Sequence, residues 1–98
     1  MNIRFTDEAK ADLQQIGDYI AKDNPIRALS FVRELEQKCR AIAASPMAFS
    51  LVPRYEQYAI RRCIHEHYLI FYRIEGEQIT ILHIVHGAMD YAAILFED

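Results

Sequence analysis

The chain has 98 residues, of which 52% are hydrophobic and 26% are charged, and its formal net charge is −3. This size predicts one domain with a modest core. The acidic balance argues against direct binding of nucleic acid, because proteins that grip a phosphate backbone carry a basic excess. The sequence has no apolar run near the roughly 20 residues that a membrane span requires, and no basic-then-apolar leader. We therefore expect a soluble cytoplasmic protein without membrane contact, in which Cys39 and Cys63 are buried thiols rather than a disulfide.

The first half of the chain predicts a short strand and two amphipathic helices. Residues 1–5 alternate apolar and polar side chains, as expected of an edge strand or of a strand paired with a later hairpin. Thr6 is a candidate helix N-cap, and apolar residues then recur at helical spacing until about residues 22–23. Asn24-Pro25 is a typical start for a second helix, whose apolar stripe runs to Ser45-Pro46. Two such helices joined by a short link predict a helical hairpin.

The second half of the chain is dominated by a hydrophobic β-hairpin. Residues 68–74 and 78–86 are rich in β-branched, aromatic and aliphatic side chains, and Glu75-Gly76-Glu77 lies between them. Both faces of these strands are apolar, so each face must be covered. The helices account for one face. We expect part of the other face to be bare, which usually marks a partner site.

The remaining segments are less regular. Residues 47–57 have no clear period and predict a loop, and a further strand begins over residues 58–63. Whether a turn near Ile64-His65 joins it to the hairpin is left open. Residues 91–96 fit either one helical turn or a short strand. The order β-α-α-β-β-β predicts an α+β fold in two layers, with the N-terminal strand and the helical hairpin packed on a mostly antiparallel sheet in a single domain over residues 1–98.

Two stretches of the chain resemble a known toxin family. The segment FTDEAKADLQQIGDYIAKDNPIRALSFVREL is similar to the first strand and helical hairpin of the ParE branch of the RelE/ParE toxins, and AIRRCIHEHYLIFYRIEGEQITILHIVHGAMD is similar to its sheet and C-terminal motif. The resemblance runs over nearly the whole chain. It implies the toxin half of a bacterial type II toxin–antitoxin pair, which inhibits growth and serves plasmid stabilisation.

The resemblance also implies partners. A cognate antitoxin is expected to neutralise the protein by laying a segment over it, in a toxin–antitoxin hetero-oligomer. DNA gyrase is the target expected for the ParE branch. Such a protein acts by binding, so we expect no cofactor and no covalent chemistry of its own.

The C-terminal motif departs from the family at one position. The motif commonly reads H-G-x-R-D, whereas this chain has His86-Gly87-Ala88-Met89-Asp90. Met89 therefore replaces a cation with an uncharged thioether. If the Arg serves the target contact, this change weakens or alters the toxin; if it only pairs with Asp90, the effect is local.

The residues expected to bind the antitoxin or the target lie on the sheet and in the C-terminal motif. They are Arg61, Arg62, Tyr68, Tyr72, Arg73, His86, Met89, Asp90 and Tyr91. Arg61 and Arg62 are adjacent on a strand and should point to opposite faces, one of them paired with an acidic residue. Tyr68 and Tyr72 share a strand face, where core packing with the hydroxyl at the rim competes with a partner contact.

Two alternatives remain open from the sequence. The first is a ribosome-dependent endoribonuclease of the RelE type, which uses basic and aromatic side chains for acid–base work and phosphate stabilisation. Its candidate residues are Arg61, Arg62, Arg73, His83, His86 and Tyr91, with Arg62, Arg73, His86 and Tyr91 as the catalytic set. The acidic charge disfavours this alternative. The second is an inactive member that only binds the antitoxin.

The four histidines predict no metal site. His65 and His67 are two residues apart and should share a strand face, with Glu66 facing the other way. His83 and His86 are three apart and should point to opposite faces. No cysteine or carboxylate lies at a clear ligand spacing from either pair.

Overall fold

A computed structural model describes residues 1–96. The elements in chain order are β1 (Asn2–Phe5), α1 (Asp7–Ala21), α2 (Pro25–Ala44), a 3-10 turn (Glu56–Tyr58), β2 (Ile60–His65), β3 (Tyr68–Glu75), β4 (Gln78–His86) and α3 (Tyr91–Phe96). The predicted α+β order is confirmed, and residues 91–96 form a helix. None of the helices in this part of the chain combines the length and the apolar character needed to cross a membrane.

The sheet has four strands in the order β1-β4-β3-β2. β2, β3 and β4 are antiparallel neighbours, whereas β1 lies at the edge and runs parallel to β4. The pairing of β1 with β4 ends where Phe5 lies opposite Ile81. The sheet is therefore mostly antiparallel, as predicted, and β1 is both an edge strand and a partner of the hairpin.

Both helix starts follow from local side-chain chemistry. The hydroxyl of Thr6 accepts a hydrogen bond from the backbone N–H of Ala9 at 3.0 Å and donates to the carbonyl of Leu82 at 2.8 Å, so it caps α1 and ties it to β4. The amide oxygen of Asn24 accepts from the backbone N–H of Arg27 at 3.0 Å, with Pro25 in the first turn of α2. Both predicted caps are confirmed.

Two-residue turns set the strand register. The β2–β3 turn consists of Glu66 and His67, rather than lying near Ile64-His65, because β2 continues to His65. Glu66 adopts a φ of 57°, the left-handed conformation that tight hairpin turns require. β2 begins two residues later than the predicted residue 58, since a 3-10 turn and a left-handed Ala59 precede Ile60.

The sheet is covered on both faces. The face toward α1 and α2, here called the helix-pair face, carries the larger core. The opposite face, here called the α3 face, carries a second core of Val52, Ile60, Leu69, Phe71 and Val85. Side chains of the loop after α2 and of α3 cover it, with the rings of Tyr55 and Phe96 stacked 4.1 Å apart. The expectation of a bare face is therefore wrong at the centre of the sheet, where Phe71 is 0% exposed, but Ile64 of the edge strand β2, opposite Leu69, is 60% exposed.

Candidate functional site

The predicted site residues gather in two recesses that meet at Met89. The α1 recess lies between α1 and the end of β4, has a volume of about 370 Å³, and is lined by Tyr68, His86 and Met89 among others. The α3 recess has a volume of about 440 Å³, and its lining includes Arg62, Met89, Asp90 and Tyr91. Six of the nine predicted residues thus line one recess or the other. Met89 lines both and is 51% exposed.

The back of the α1 recess is an Asp–His pair that the sequence did not reveal. Oδ2 of Asp12 lies 2.8 Å from Nδ1 of His83 and accepts a second hydrogen bond from the backbone N–H of Ile84 at 2.9 Å. A carboxylate can only accept, so Nδ1 carries a proton, and Nε2 of a neutral His83 ring is an acceptor. Asp12 thereby joins α1 to β4 beyond the point where β1 ends.

His83 and His86 both line this recess, as do Ile84 and Val85 between them. Their register partners agree with the predicted opposite faces, because His83 lies opposite Phe71 of the α3 face and His86 lies opposite Tyr68 of the helix-pair face. A bulge in β4 precedes both histidines. Phe71 pairs with His83 while Tyr72 pairs with Ile81, which leaves Leu82 as an extra residue. Both histidines follow Leu82, so this extra residue does not change their direction relative to each other.

The rim of the α1 recess is aromatic. The ring of His86 packs edge-on against Tyr68 at 5.3 Å and stacks on His67 at 5.9 Å. Its Nδ1 accepts a hydrogen bond from the backbone N–H of Ala88 at 3.0 Å, so His86 orders the following turn through this amide rather than through Asp90. Burial raises the pKa of the half-buried Tyr68 phenol.

The α3 recess brings together a cation and a phenol. Nη1 of Arg62 donates a hydrogen bond to the hydroxyl of Tyr91 at 3.3 Å, and the Tyr91 ring packs against Phe71 at 5.1 Å. Oδ1 of Asp90 accepts from the backbone N–H of Ala93 at 3.3 Å, so Asp90 caps α3. Arg62 and Asp90 therefore hold the C-terminal helix as well as lining the recess.

The other three predicted residues lie outside both recesses. Tyr72 is 0% exposed and donates its hydroxyl hydrogen bond to the carbonyl of Pro46 at 2.6 Å, and burial raises its pKa to about 12. Its partner-contact interpretation is therefore wrong, and its core interpretation is correct. Nη1 of Arg73 lies 3.8 Å from Oε2 of Glu75, in an ion pair that is partly exposed.

Arg61 and Arg62 are held on different faces, as predicted. Nη1 of Arg61 donates to the carbonyl of Phe49 at 2.6 Å, and Phe49 packs against the core of the helix-pair face. Arg62 contacts Tyr91 on the α3 face. The prediction that one of them pairs with an acidic residue is wrong within residues 1–96, because both arginines donate hydrogen bonds to uncharged oxygens.

The proposed ribonuclease set is divided between the two faces. Arg62 lies opposite Phe71 and Arg73 lies opposite Ile60, and directly opposed residues share a sheet face, so both arginines belong to the α3 face with Tyr91. His86 instead contacts Tyr68 on the helix-pair side. These four residues do not converge on one reacting atom.

A second cluster of polar side chains was not predicted from the sequence. Oε1 of Glu34, on α2, lies 2.8 Å from Nε2 of His65, and Nη1 of Arg27 lies 2.5 Å from Oε2 of Glu34. Bonds from Arg27 and then His65 lower the pKa of the Glu34 carboxyl. Glu66 completes the cluster. Strand alternation predicts that it faces away from His65, but Glu66 lies in the turn after β2, where this alternation does not apply. Glu34 is 31 residues from His65, and no local spacing signals such a contact.

Comparisons with known proteins agree with this fold. A model of the ParE toxin of type II toxin–antitoxin systems matches residues 3–91. A solved chain of the chromosomal ParDE toxin–antitoxin system of P. aeruginosa is 28% identical, with a TM-score of 0.71, over 88% of this chain and 95% of that one. A chain of the RelBE2 toxin–antitoxin complex of Mycobacterium tuberculosis is 22% identical, with a TM-score of 0.65, over 87% and 95%, which supports the fold alone. No curated protein sequence matches significantly. With a family match that covers both long helices and all of the sheet except the first residue of β1, the chain belongs to the ParE toxin family of type II toxin–antitoxin systems.

Proposed function

We propose that this ParE-family toxin arrests growth by binding DNA gyrase, and that a cognate antitoxin neutralises it in a hetero-oligomer. The family match over residues 3–91 is the observation that carries this proposal. The similarity to a chain of the P. aeruginosa ParDE system supports an antitoxin partner. The buried free thiols of Cys39 and Cys63 are consistent with the cytoplasm, where gyrase acts.

The antitoxin surface that we propose is an apolar patch on the helical hairpin. Ile26 and Leu29 are 80% and 63% exposed, although both are large and apolar. Leu29 also lines a shallow recess between α1 and α2 with a volume of about 480 Å³, together with Ala21 and Val32. An amphipathic segment can lay its apolar face into such a groove. We call the surface formed by Ile26, Leu29 and this recess the hairpin patch.

A charge introduced into the hairpin patch tests this interface. We expect Leu29→Asp to weaken antitoxin binding by at least about tenfold, or ~1.4 kcal/mol, because the complex would have to desolvate a carboxylate. The matched control is Met47→Asp, since Met47 is 68% exposed but belongs to the segment after α2. Binding is measured by calorimetry with the product of the neighbouring gene. Equal affinities for the two variants would exclude the hairpin patch.

The target surface that we propose is the α3 recess. Arg62, Met89, Asp90 and Tyr91 line it together, and they combine a cation, an exposed thioether, a carboxylate and a phenol. Such a mixed surface suits recognition of a protein, where aromatic side chains and arginine are favoured contact residues. The α1 recess, with Tyr68 and His86, lies on the other side of Met89 and extends the same surface.

A RelE-type ribonuclease is the second candidate, and one observation favours it. The contact between Arg62 and Tyr91 places a cation beside a phenol, as phosphate chemistry on RNA would require. The position of His86 on the other face and the net charge of −3 weigh against it. Purified protein added to programmed ribosomes decides the matter: codon-specific cleavage would replace gyrase binding as the proposed activity.

Growth tests separate an active toxin from an inactive one. We expect expression of this chain alone to arrest growth and co-expression of the antitoxin to restore it. Continued growth under strong expression, with folded protein present in the cells, would instead favour a member that only binds the antitoxin.

A further inference from the structure

The candidate cluster lies where α2 passes over the β2–β3 turn. Glu34, His65 and Glu66 each offer one ligand atom, and these three atoms lie within 4.8 Å of one another. The set comprises one imidazole nitrogen and two carboxylate oxygens from two separate elements. It belongs to neither the α1 recess nor the α3 recess.

The spacing of these atoms suits a small divalent ion. Zinc binds imidazole nitrogen and carboxylate oxygen at about 2.0–2.2 Å, so tetrahedral ligands lie roughly 3.3–3.5 Å apart. The pair of His65 Nε2 and Glu34 Oε1 lies at 2.8 Å, slightly closer than this. Glu66 is exposed at a turn, so its side chain can move without disturbing the core. Small side-chain movements therefore complete three ligand positions and leave a fourth for water.

The histidine is held in place by its surroundings. The His65 side chain is only 14% exposed, and its ring packs 5.4 Å from that of Phe31. This contact fixes the direction of Nε2 toward α2. A pre-oriented imidazole loses little conformational freedom when it binds an ion.

Arg27 has two opposite effects on the cluster. It holds Oε2 of Glu34 at 2.5 Å and packs its guanidinium over Phe31 at 5.0 Å, which orients the carboxylate with Oε1 toward His65. Such support of a ligand by a neighbouring group strengthens metal sites. Its positive charge, however, repels a cation. Two carboxylates and one guanidinium leave a net charge of −1 around a neutral His65.

We propose that Glu34, His65 and Glu66 bind a zinc ion that joins α2 to the β2–β3 turn. Imidazole and carboxylate donors together suit zinc among the common cellular divalent ions, whereas magnesium prefers oxygen ligands alone. Three protein ligands and an open fourth position give the ion a place for water or for a side chain of a bound partner.

Titration of the tag-free full chain with Zn²⁺ tests the site. We expect one saturable site per chain and a rise in melting temperature, because an ion that binds the native state stabilises it. His65→Gln should weaken binding at least tenfold, and Glu66→Gln, which changes an exposed side chain, should also weaken it. His67→Gln is the control, because it removes a neighbouring histidine outside the cluster. Circular dichroism confirms that each variant is folded.

Two further outcomes sharpen the test. Arg27→Gln removes the repulsion between the guanidinium and the ion, and it also removes the group that orients the Glu34 carboxylate. This variant should bind Zn²⁺ more tightly if the first effect is the larger one, and its affinity for Zn²⁺ should still depend on His65. Co²⁺ bound in place of Zn²⁺ should give the strong visible absorption of a four-coordinate site. Unsaturable binding, or affinity that is lost in His67→Gln but kept in His65→Gln, would overturn the assignment.

Discussion

Met89 is the residue on which the strength of this toxin depends in our proposal. It lies between the two recesses, is half exposed, and stands where the family motif commonly carries a cation. Asp90 is already engaged as the cap of α3, so a cation at residue 89 is not needed to satisfy it. We therefore expect that the family Arg contacts the target rather than pairing with Asp90.

Restoring the cation should strengthen the toxin. We expect Met89→Arg to lower the concentration that inhibits gyrase by several-fold, with stability unchanged within about 0.5 kcal/mol because the position is on the surface. Met47→Arg adds the same charge at another exposed methionine and should have no such effect. Inhibition that rises equally in both variants would point to charge alone, and no rise in either would contradict the contact role.

Tyr72 shows the difference between a core residue and a contact residue. Its hydroxyl bonds to the Pro46 carbonyl at 2.6 Å inside the core. We expect Tyr72→Phe to lower the free energy of unfolding by about 1 kcal/mol, because a partly buried carbonyl loses its donor. Urea denaturation measures this, with the exposed Tyr19→Phe as control. Antitoxin affinity should be unchanged; a large loss of affinity with normal stability would return Tyr72 to the interface.

Tyr72 also makes the free energy of unfolding depend on pH in the alkaline range. Burial raises the pKa of Tyr72 from 10.0 to about 12 and that of Cys39 from 9.0 to about 12. The unfolded chain releases these protons first, so this stability is complete below pH 9 and is lost as pH rises toward 12. We expect urea midpoints to fall over this window, and to fall less steeply above pH 10 in Tyr72→Phe. Parallel curves for wild type and variant would refute the assignment to Tyr72.

At the scale of single residues, strand alternation correctly predicted that Tyr68 and Tyr72 share a face of the sheet. The caps at Thr6 and Asn24 were predictable because their partners lie three residues away. The contacts of Glu34 with His65 and of Asp12 with His83 were not, because they join residues 31 and 71 positions apart. The bulge at Leu82 was not predictable either, because nothing in the local sequence marks it.

At the scale of elements, α3 decides whether the second face of the sheet is covered. It has only six residues, too few for a helix to be stable alone, so its structure depends on packing. Stacking of Phe96 on Tyr55 and the contact of Tyr91 with Phe71 provide that packing. The sequence left this segment undecided because six residues show no period and its partners lie up to 41 positions away.

Removal of α3 should therefore uncover the second core. In a chain that ends after Asp90, we expect dye binding to exposed apolar surface and a marked loss of stability, because each large apolar side chain uncovered costs about 1.5–3 kcal/mol. A chain that ends after Phe96 keeps α3 and is the control. Unchanged stability and dye binding in the shorter chain would show that the loop after α2 covers the sheet without α3.

At the scale of the whole molecule, the element order and the two-layer fold were predictable, whereas the covered second face was not. Periodicity places the helices and the hairpin, since each repeats over many residues. The covering of the α3 face depends on a loop and a terminal helix that carry no period. Because the centre of that face is covered, we propose the antitoxin site at the exposed apolar side chains of the hairpin patch instead.

Inhibition of gyrase is the activity that we propose for this protein, and a supercoiling assay measures it directly. Purified tag-free protein is added to DNA gyrase and relaxed plasmid, and supercoiling and DNA cleavage are followed on gels, with and without an excess of the antitoxin. We predict loss of supercoiling, accumulation of cleaved plasmid and recovery of supercoiling with the antitoxin. Full gyrase activity at protein concentrations that saturate the antitoxin, in a preparation that arrests growth in cells, would contradict the claim.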